Sequence, residues 1–203
     1  MHRDGTGTVA RLLAGVAVAV ALATAWPATP TAGQVVSLRT VRDPANRFTI
    51  DVPVTWRIQT SMTKDPTLSA RSPTPGGQLP DSIDVILRDT IVPLSPAACV
   101  HEAEQVMRFA IHSWTDLAQG PQTIGTLPGY SRVYTWRSST GDPRRSVQVC
   151  VTQGRRAFML IGTTEDTPPR VSAGMPVLMR IIATFHPNPA AAPSATVRSS
   201  EER

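Results

Sequence analysis

Apolar and polar residues alternate in several short segments of the chain, and this two-residue period predicts β-strands. An early example is 48–52, where phenylalanine, isoleucine and valine alternate with threonine and aspartate. Pro53 interrupts the pattern, and Val54, Trp56 and Ile58 begin a second strand. Further strands are predicted at 68–71, 82–89, 122–127, 129–137, 144–152 and 156–163.

Two other segments carry apolar residues at three- and four-residue steps, as amphipathic helices do. The first begins at Ser95-Pro96, an N-cap followed by proline at the first helical position, and is predicted to end before Gly120-Pro121. Its predicted buried stripe is Val100, Ala103, Met107, Ala110, Ile111 and Trp114. The second helix is predicted from about Pro169 to Thr184, and Pro176 is expected to kink it or delay its start.

The order of these elements indicates the fold class. Strands that follow one another through short turns pair antiparallel. An antiparallel sheet with helices on its faces is an α+β domain. The sequence therefore predicts an antiparallel sheet of about six to seven strands flanked by two main helices.

The N-terminus has the pattern of an export signal. Arg3 and Arg11 precede an uncharged apolar run at 12–25, which ends in the small residues of a cleavage site. We predict a signal peptide at 1–25, a linker at 26–41, the folded domain at 42–187 and a disordered tail at 188–203. The protein is therefore expected to be secreted or extracytoplasmic, and the alternative is a chain anchored by an uncleaved N-terminal segment.

The charge balance is basic and rests on arginine, because Lys64 is the only lysine. The net charge is +5, but adjacent arginines occur only at 144–145 and 155–156. Dispersed arginines are typical of a solvated surface, and the alternative is an anionic partner such as a lipid headgroup or a polyanionic polymer. We expect no nucleic-acid partner.

Cys99 and Cys150 are the only cysteines. In an oxidising compartment an even count at this spacing is most simply one disulfide, and two separate buried thiols are the alternative. A metal or redox site is not indicated, because the sequence has no CxxC motif.

The sequence does not present an assembled catalytic, cofactor or metal site. His101-Glu102 begins like the HExxH zinc motif, but Gln105 stands where the second histidine is required. His112 is predicted three turns further along the same helix, too far away to share a metal with His101. A GxSxG elbow is absent. The candidates for paired carboxylates are Asp51, Asp84 and Asp89, of which the first two alternate with apolar residues as solvent-facing strand positions do.

One predicted strand carries a possible interaction face. Its members are Tyr130, Arg132, Tyr134 and Trp136, which share one side of the strand at 129–137. Aromatic and arginine side chains together can stack on a ligand or form an interface. The alternative is that this face packs beneath a helix.

The domain resembles the Mog1/PsbP-like α/β/α sandwich. The resemblance rests on Phe48, Ile50, Pro53 and Trp56 at the start and Thr184-Phe185 at the end, and it covers roughly 43–187. It implies the same fold and a mostly non-catalytic role in assembly or transport, with no catalytic motif to transfer.

We therefore predict an exported, non-catalytic accessory domain, a monomer that needs no cofactor and acts on an envelope protein or a lipid-like ligand. The alternative is a carrier that holds a small apolar ligand between sheet and helices, lined by Met107, Met159, Met175 and Met179. An enzyme whose site is assembled from scattered residues is the third hypothesis.

Overall fold

A computed structural model describes residues 36–74 and 78–188. The predicted signal peptide, most of the predicted linker and the predicted tail beyond Asn188 lie outside these ranges. In chain order the elements are β1 (Leu38–Arg42), β2 (Phe48–Pro53), β3 (Arg57–Thr60), β4 (Leu68–Arg71), β5 (Ser82–Asp89), α1 (Pro96–Ala110), β6 (His112–Ile124), β7 (Leu127–Arg137), β8 (Pro143–Gln153), β9 (Arg156–Glu165), α2 (Pro168–Ala183) and β10 (His186–Pro187).

Seven of the strands form one antiparallel sheet in the order β3-β4-β5-β9-β8-β7-β6. The remaining three form a small sheet in the order β1-β2-β10. The α+β class and the antiparallel sheet with two main helices are confirmed.

The small sheet adds strands at both ends of the predicted domain. β1 begins at Leu38, inside the segment predicted as a linker. Val41 of this strand packs against the core, so this part of the segment belongs to the folded domain. Asn188, placed in the predicted tail, donates its side-chain amide to the carbonyl of Asn46 at 2.9 Å. The ordered fold therefore extends slightly beyond 42–187 on both sides.

One face of the main sheet is sealed by α2 and the small sheet. Val147, Val149 and Val151 point to this side from β8, as the alternating pattern predicts. Phe48 of β2 lies 6.2 Å, ring centroid to centroid, from Phe158 of β9 and 5.5 Å from Phe185. Helix α2 begins at Pro168 and runs through Pro176, so this proline does not delay the start of the helix.

Helix α2 approaches β9 closely at Gly174. A Cβ atom at this position would stand 2.8 Å from Oγ1 of Thr164 and 3.2 Å from Oδ2 of Asp81. Asp81 is held in place there by a 2.7 Å hydrogen bond from the Thr164 hydroxyl and by an ion pair with Arg170. The absence of a side chain at Gly174 allows this packing.

The first helix is shorter than the periodicity predicted. It ends at Ala110, and Ile111 has extended backbone. Ser113, the second residue of β6, takes a positive φ of 54°, and the register of β6 is irregular between His112 and Thr115. Ile111 and Trp114 are therefore not on the helix, and His112 begins a strand rather than facing His101 along the helix. The prediction failed because these two apolar residues match the helical period by coincidence.

Candidate functional site

The second face of the main sheet is covered only in part, by helix α1. The helix has two buried residues, Cys99 and Val100. Cys99 forms a disulfide with Cys150 of β8, with the Cα atoms 6.2 Å apart. The bond fixes the N-terminal half of α1 above β8. Gln148 and Ser146 of β8 lie on the same face of the sheet as Cys150, so α1 packs on that face.

An ion-pair cluster fixes the middle of α1. Nη1 of Arg132 on β7 lies 2.5 Å from a carboxylate oxygen of Glu104, and Arg108 binds the same carboxylate at 2.7 Å. Arg132 also lies 3.6 Å from Asp116 of β6. Burial alone would raise the pKa of Glu104, but the two guanidinium groups outweigh burial and lower it. Glu104 is therefore held as an anion between helix and sheet.

Aromatic contacts fix the C-terminal part of the covered region. The rings of Tyr134 and Trp114 stack with centroids 3.8 Å apart, and the Tyr134 hydroxyl faces Sδ of Met107 at 3.9 Å. Burial raises the pKa of the Tyr134 phenol above its ordinary range. Trp136 donates its indole N–H to Ser146 at 2.9 Å. The strand positions predicted as an interaction face thus contact other parts of the same chain.

The four residues of that predicted face differ in exposure. Tyr134 and Arg132 are buried, with 0% and 5% of their surface exposed, whereas Tyr130 and Trp136 are half-buried. Tyr130 packs against the apolar cluster around the disulfide. These positions agree with the alternative of a face beneath a helix, and an interaction role for the four residues stays a prediction.

The methionines proposed to line a ligand cavity lie on opposite faces of the sheet. Met175 and Met179 belong to the packing around α2, whereas Met107 and Met159 lie on the side of α1. The cavity between α1 and the sheet, lined by Met159 and Cys99 among others, measures about 40 Å³. Ligand pockets usually measure about 300–1,000 Å³. This arrangement does not favour the carrier hypothesis.

Beyond α1, neither described helix packs on the same face over β5, β4 and β3, and we call this part the open half. Its side chains are exposed at the β3–β4 side, at Arg57, Gln59 and Arg71, whereas those on β5, β9 and β8 are mostly buried. The strand register places Arg57, Arg71, Ser82, Thr163 and Ser146 side by side in one row across the strands. A neighbouring row contains Gln59, Ser69, Asp84, Ile161 and Gln148. This half of the face is therefore mainly polar, in contrast to the apolar face beneath α2.

A groove of about 460 Å³ lies at the β3–β4 side of this open half. Arg57, Gln59, Ser69 and Arg71 form its floor, and residues of the loop after β4, together with Pro80, form the rest of its lining. Both arginines are exposed. The groove is large enough for a projecting group of a ligand or partner and presents positive charge to it.

Two charged groups on this face of the sheet are shielded from water. Arg144 of β8 has only 9% of its surface exposed, and its Nη1 atom is buried without a hydrogen-bond partner. Burial lowers the pKa of Arg144, and the nearby positive charge of Arg71 lowers it further. Burial raises the pKa of Asp84, while the charge of Arg71 opposes this increase. This face of the sheet therefore holds one buried arginine, Arg144, and one exposed arginine, Arg71.

The remaining candidates for chemistry do not converge. His101 is exposed on α1 and lies 3.4 Å from Gln105. Asp51 accepts a hydrogen bond from a threonine of β1, and Asp89 pairs with an arginine of β9. Within the described ranges, no three histidine, cysteine, aspartate or glutamate side chains are placed to hold a metal ion. Neither described helix is long and apolar enough to cross a membrane.

The sequence analysis did not single out Arg71 and Arg144. They are far apart in the chain, and only the pairing of β4, β5, β9 and β8 brings them to one face. The sequence did carry one signal. Arg144 lies two residues before Ser146 and four before Gln148, on one face of a strand whose opposite face carries buried valines. Charged residues are seldom buried without a partner, so this position was informative.

No family model and no curated protein matches the sequence. Solved structures with the same fold do exist. Cyanobacterial PsbP from Synechocystis is 12% identical with a TM-score of 0.59, covering 78% of this chain and 98% of that one. LpqN of Mycobacterium tuberculosis, a protein involved in cell envelope biogenesis, is 16% identical with a TM-score of 0.54, covering 75% and 91%.

The Ran-binding protein Mog1p of Saccharomyces cerevisiae is 14% identical with a TM-score of 0.50, covering 74% of this chain and 95% of that one. These similarities confirm the fold that the sequence predicted. The chain has the Mog1/PsbP-like fold.

Proposed function

We propose that this chain, with its Mog1/PsbP-like fold, is an exported, non-catalytic binding domain that acts on another component of the cell envelope. The observation that carries the proposal is the open half of the main sheet. Its groove of about 460 Å³ is lined by exposed arginines and polar side chains. Such a surface suits recognition of a partner that carries negative charge.

Two other features support this role. The disulfide from Cys99 to Cys150 suits an oxidising compartment, and the export pattern at 1–25 is the reason to expect one. The structural neighbours include a protein of cell envelope biogenesis and a protein that binds Ran. A fold that serves binding in the Ran-binding protein is compatible with a binding role here.

Helix α1 gives the open half a rigid border. The helix is fixed by the disulfide, by Glu104 between two arginines, and by the contact of Met107 with Tyr134. A partner that docks beside α1 would therefore meet a surface already in its bound shape. Preorganisation of this kind lowers the entropic cost of binding.

The test is site-specific photo-crosslinking in the intact cells that produce the protein. A photoreactive amino acid replaces exposed Gln59, whose side chain lines the groove, and the matched control replaces exposed Ser172 on α2. We expect a discrete adduct with an envelope component from position 59 only. Equal adducts from both positions, or adducts from neither, would refute the proposed binding surface.

A further inference from the structure

Two arginines face each other across β3 and β4 without a described counter-charge. Arg57 and Arg71 are direct cross-strand partners, so their side chains leave the same face of the sheet with Cβ atoms about 5 Å apart. Like charges in this arrangement repel each other and destabilise a sheet. Among the described residues, no carboxylate forms an ion pair with either arginine. An anion between the two guanidinium groups would replace this repulsion by attraction.

The two arginines line one common space. The groove of about 460 Å³ has both of them in its floor, and both are exposed. Directly opposed residues of neighbouring strands have no other side chain between them on that face, so one bound group can contact both. The other residues that line the groove beside Gln59 and Ser69 carry no charge: Ser72, Pro73, Thr74 and Pro80.

A third donor lies beside the arginines. Ser69 is two residues before Arg71 on β4, hence on the same face, and it also lines the groove. The residue has 7% of its surface exposed, and its Oγ atom is buried without a hydrogen-bond partner in the described part of the chain. Buried hydroxyls normally form hydrogen bonds, and a hydroxyl hydrogen rotates towards an acceptor. Ser69 therefore has a donor to offer to an oxygen in the groove.

One carboxylate borders this floor. Asp84 of β5 is the cross-strand neighbour of Ser69 and is half-buried. Burial raises the pKa of Asp84, and the Ser69 hydroxyl and the charge of Arg71 oppose this rise. The described lining of the groove itself includes no carboxylate. Two guanidinium groups against at most one neighbouring carboxylate leave the floor positively charged.

We propose that Arg57 and Arg71, with the hydroxyl of Ser69, bind a phosphate group in this groove. A carboxylate presents two oxygens in one plane, which a single guanidinium fork can satisfy. A tetrahedral phosphate presents oxygens in several directions and carries more charge, so it can engage two forks and a hydroxyl together. That the phosphate belongs to an envelope component rests on the proposed function, whereas phosphate binding by the groove does not.

The test is a titration of the intact chain with inorganic phosphate, followed through the arginine Nε–Hε signals in NMR spectra. The site variants are Arg57→Gln and Arg71→Gln, both at exposed positions. The matched control is Arg180→Gln, at an exposed position of α2 with the same change of charge. We expect saturable binding that each site variant weakens roughly tenfold or more and the control leaves unchanged.

Absence of saturable binding would overturn the proposal. Equal weakening by Arg180→Gln would also overturn it, because the protein would then attract anions only through its overall charge. Tighter binding of an oligoglutamate peptide than of phosphate would overturn it in favour of a carboxylate ligand.

Vesicles distinguish two sources of the phosphate. Sedimentation with phosphatidylcholine vesicles that contain phosphatidylglycerol, reduced by Arg71→Gln but not by Arg180→Gln, would support the site and assign the phosphate to a lipid. Saturable binding of inorganic phosphate without such sedimentation would support the site and assign the phosphate to a soluble compound. Phosphate binding without the crosslink at position 59 would keep this site and refute the proposed function, and the reverse result would do the opposite.

Discussion

The disulfide between Cys99 and Cys150 is expected to contribute much of the stability of the domain. The bond closes a segment with a sequence separation of 51 residues. In the chain-entropy model a loop of this length corresponds to about 4 kcal/mol at 25 °C. Substitution of both cysteines by alanine should therefore lower the free energy of unfolding by about this amount, and the midpoint of thermal unfolding by roughly 10 °C.

The loss should be concentrated in α1. Cys99 and Val100 are the buried residues of this helix, and Val106 and Phe109 on its outer side are 59% and 89% exposed. Without the cross-link, α1 retains few apolar contacts with the sheet, whereas α2 keeps its own. A helix with few buried contacts opens locally more easily than the rest of a domain.

Urea unfolding and amide hydrogen exchange measure the two effects. We expect the double alanine variant to exchange faster throughout α1, while β8, β9 and α2 retain slow exchange. A loss below about 1 kcal/mol together with unchanged protection of α1 would refute the reasoning, because noncovalent contacts would then hold the helix. Non-reducing mass spectrometry of the wild-type protein shows whether the bond has formed before the comparison is made.

Three further substitutions test the packing by chemical denaturation. Glu104→Gln should cost about 2 kcal/mol at pH 7, because it removes the closest carboxylate of the buried Arg132 and leaves a longer contact to Asp116 and a hydrogen bond to Gln119. Since the folded-state pKa of Glu104 is lowered, this contribution is present above the unfolded-state pKa near 4.5 and disappears as pH falls through the folded-state value. Gly174→Ala should cost about 1–3 kcal/mol through overpacking, and Phe158→Ala about 3–5 kcal/mol through the cavity it leaves.

The substitutions at Gly174 and Phe158 have matched control variants. Ser172→Ala on the exposed side of α2 and Phe109→Ala at an 89% exposed position should change stability by less than about 0.5 kcal/mol. A penalty for Phe109→Ala as large as that for Phe158→Ala would contradict the packing described here. An effect of Glu104→Gln that persists undiminished at pH 3 would show that the lost charge is not its cause.

The strands of the sheet were predictable where apolar residues alternate regularly. The segments 68–71 and 82–89 coincide with β4 and β5, and the hairpin from β7 to β8 is where the turn residues at 138–143 suggested. In these segments one buried face imposes the pattern, so the pattern reveals the strand.

The long strand β6 could not be predicted in full, because its residues do not alternate. Irregularities in register occur between His112 and Thr115 and between Asp116 and Ala118. Gly120 and Pro121, interpreted as a break after the helix, lie within the strand, and proline is tolerated there because β6 is at the edge of the sheet.

The candidate site was still less accessible to sequence analysis. Alternation indicates which residues share a face within a strand but not which strands are neighbours. Arg71 and Arg144 share a face only because β9 inserts between β5 and β8, a long-range arrangement that short-range periodicity does not encode. That the two share a face could therefore be learned only from the structure.

The irregular course of β6 also affects how copies of this protein meet one another at high concentration. A regular edge strand offers a row of free amide and carbonyl groups to which a second sheet can attach, and this is a common start of aggregation. On β6 the register shifts displace that row, and Pro121 has no amide hydrogen to offer. The long edge of the sheet is thereby a poor template for growth, which favours a protein that remains dispersed when crowded.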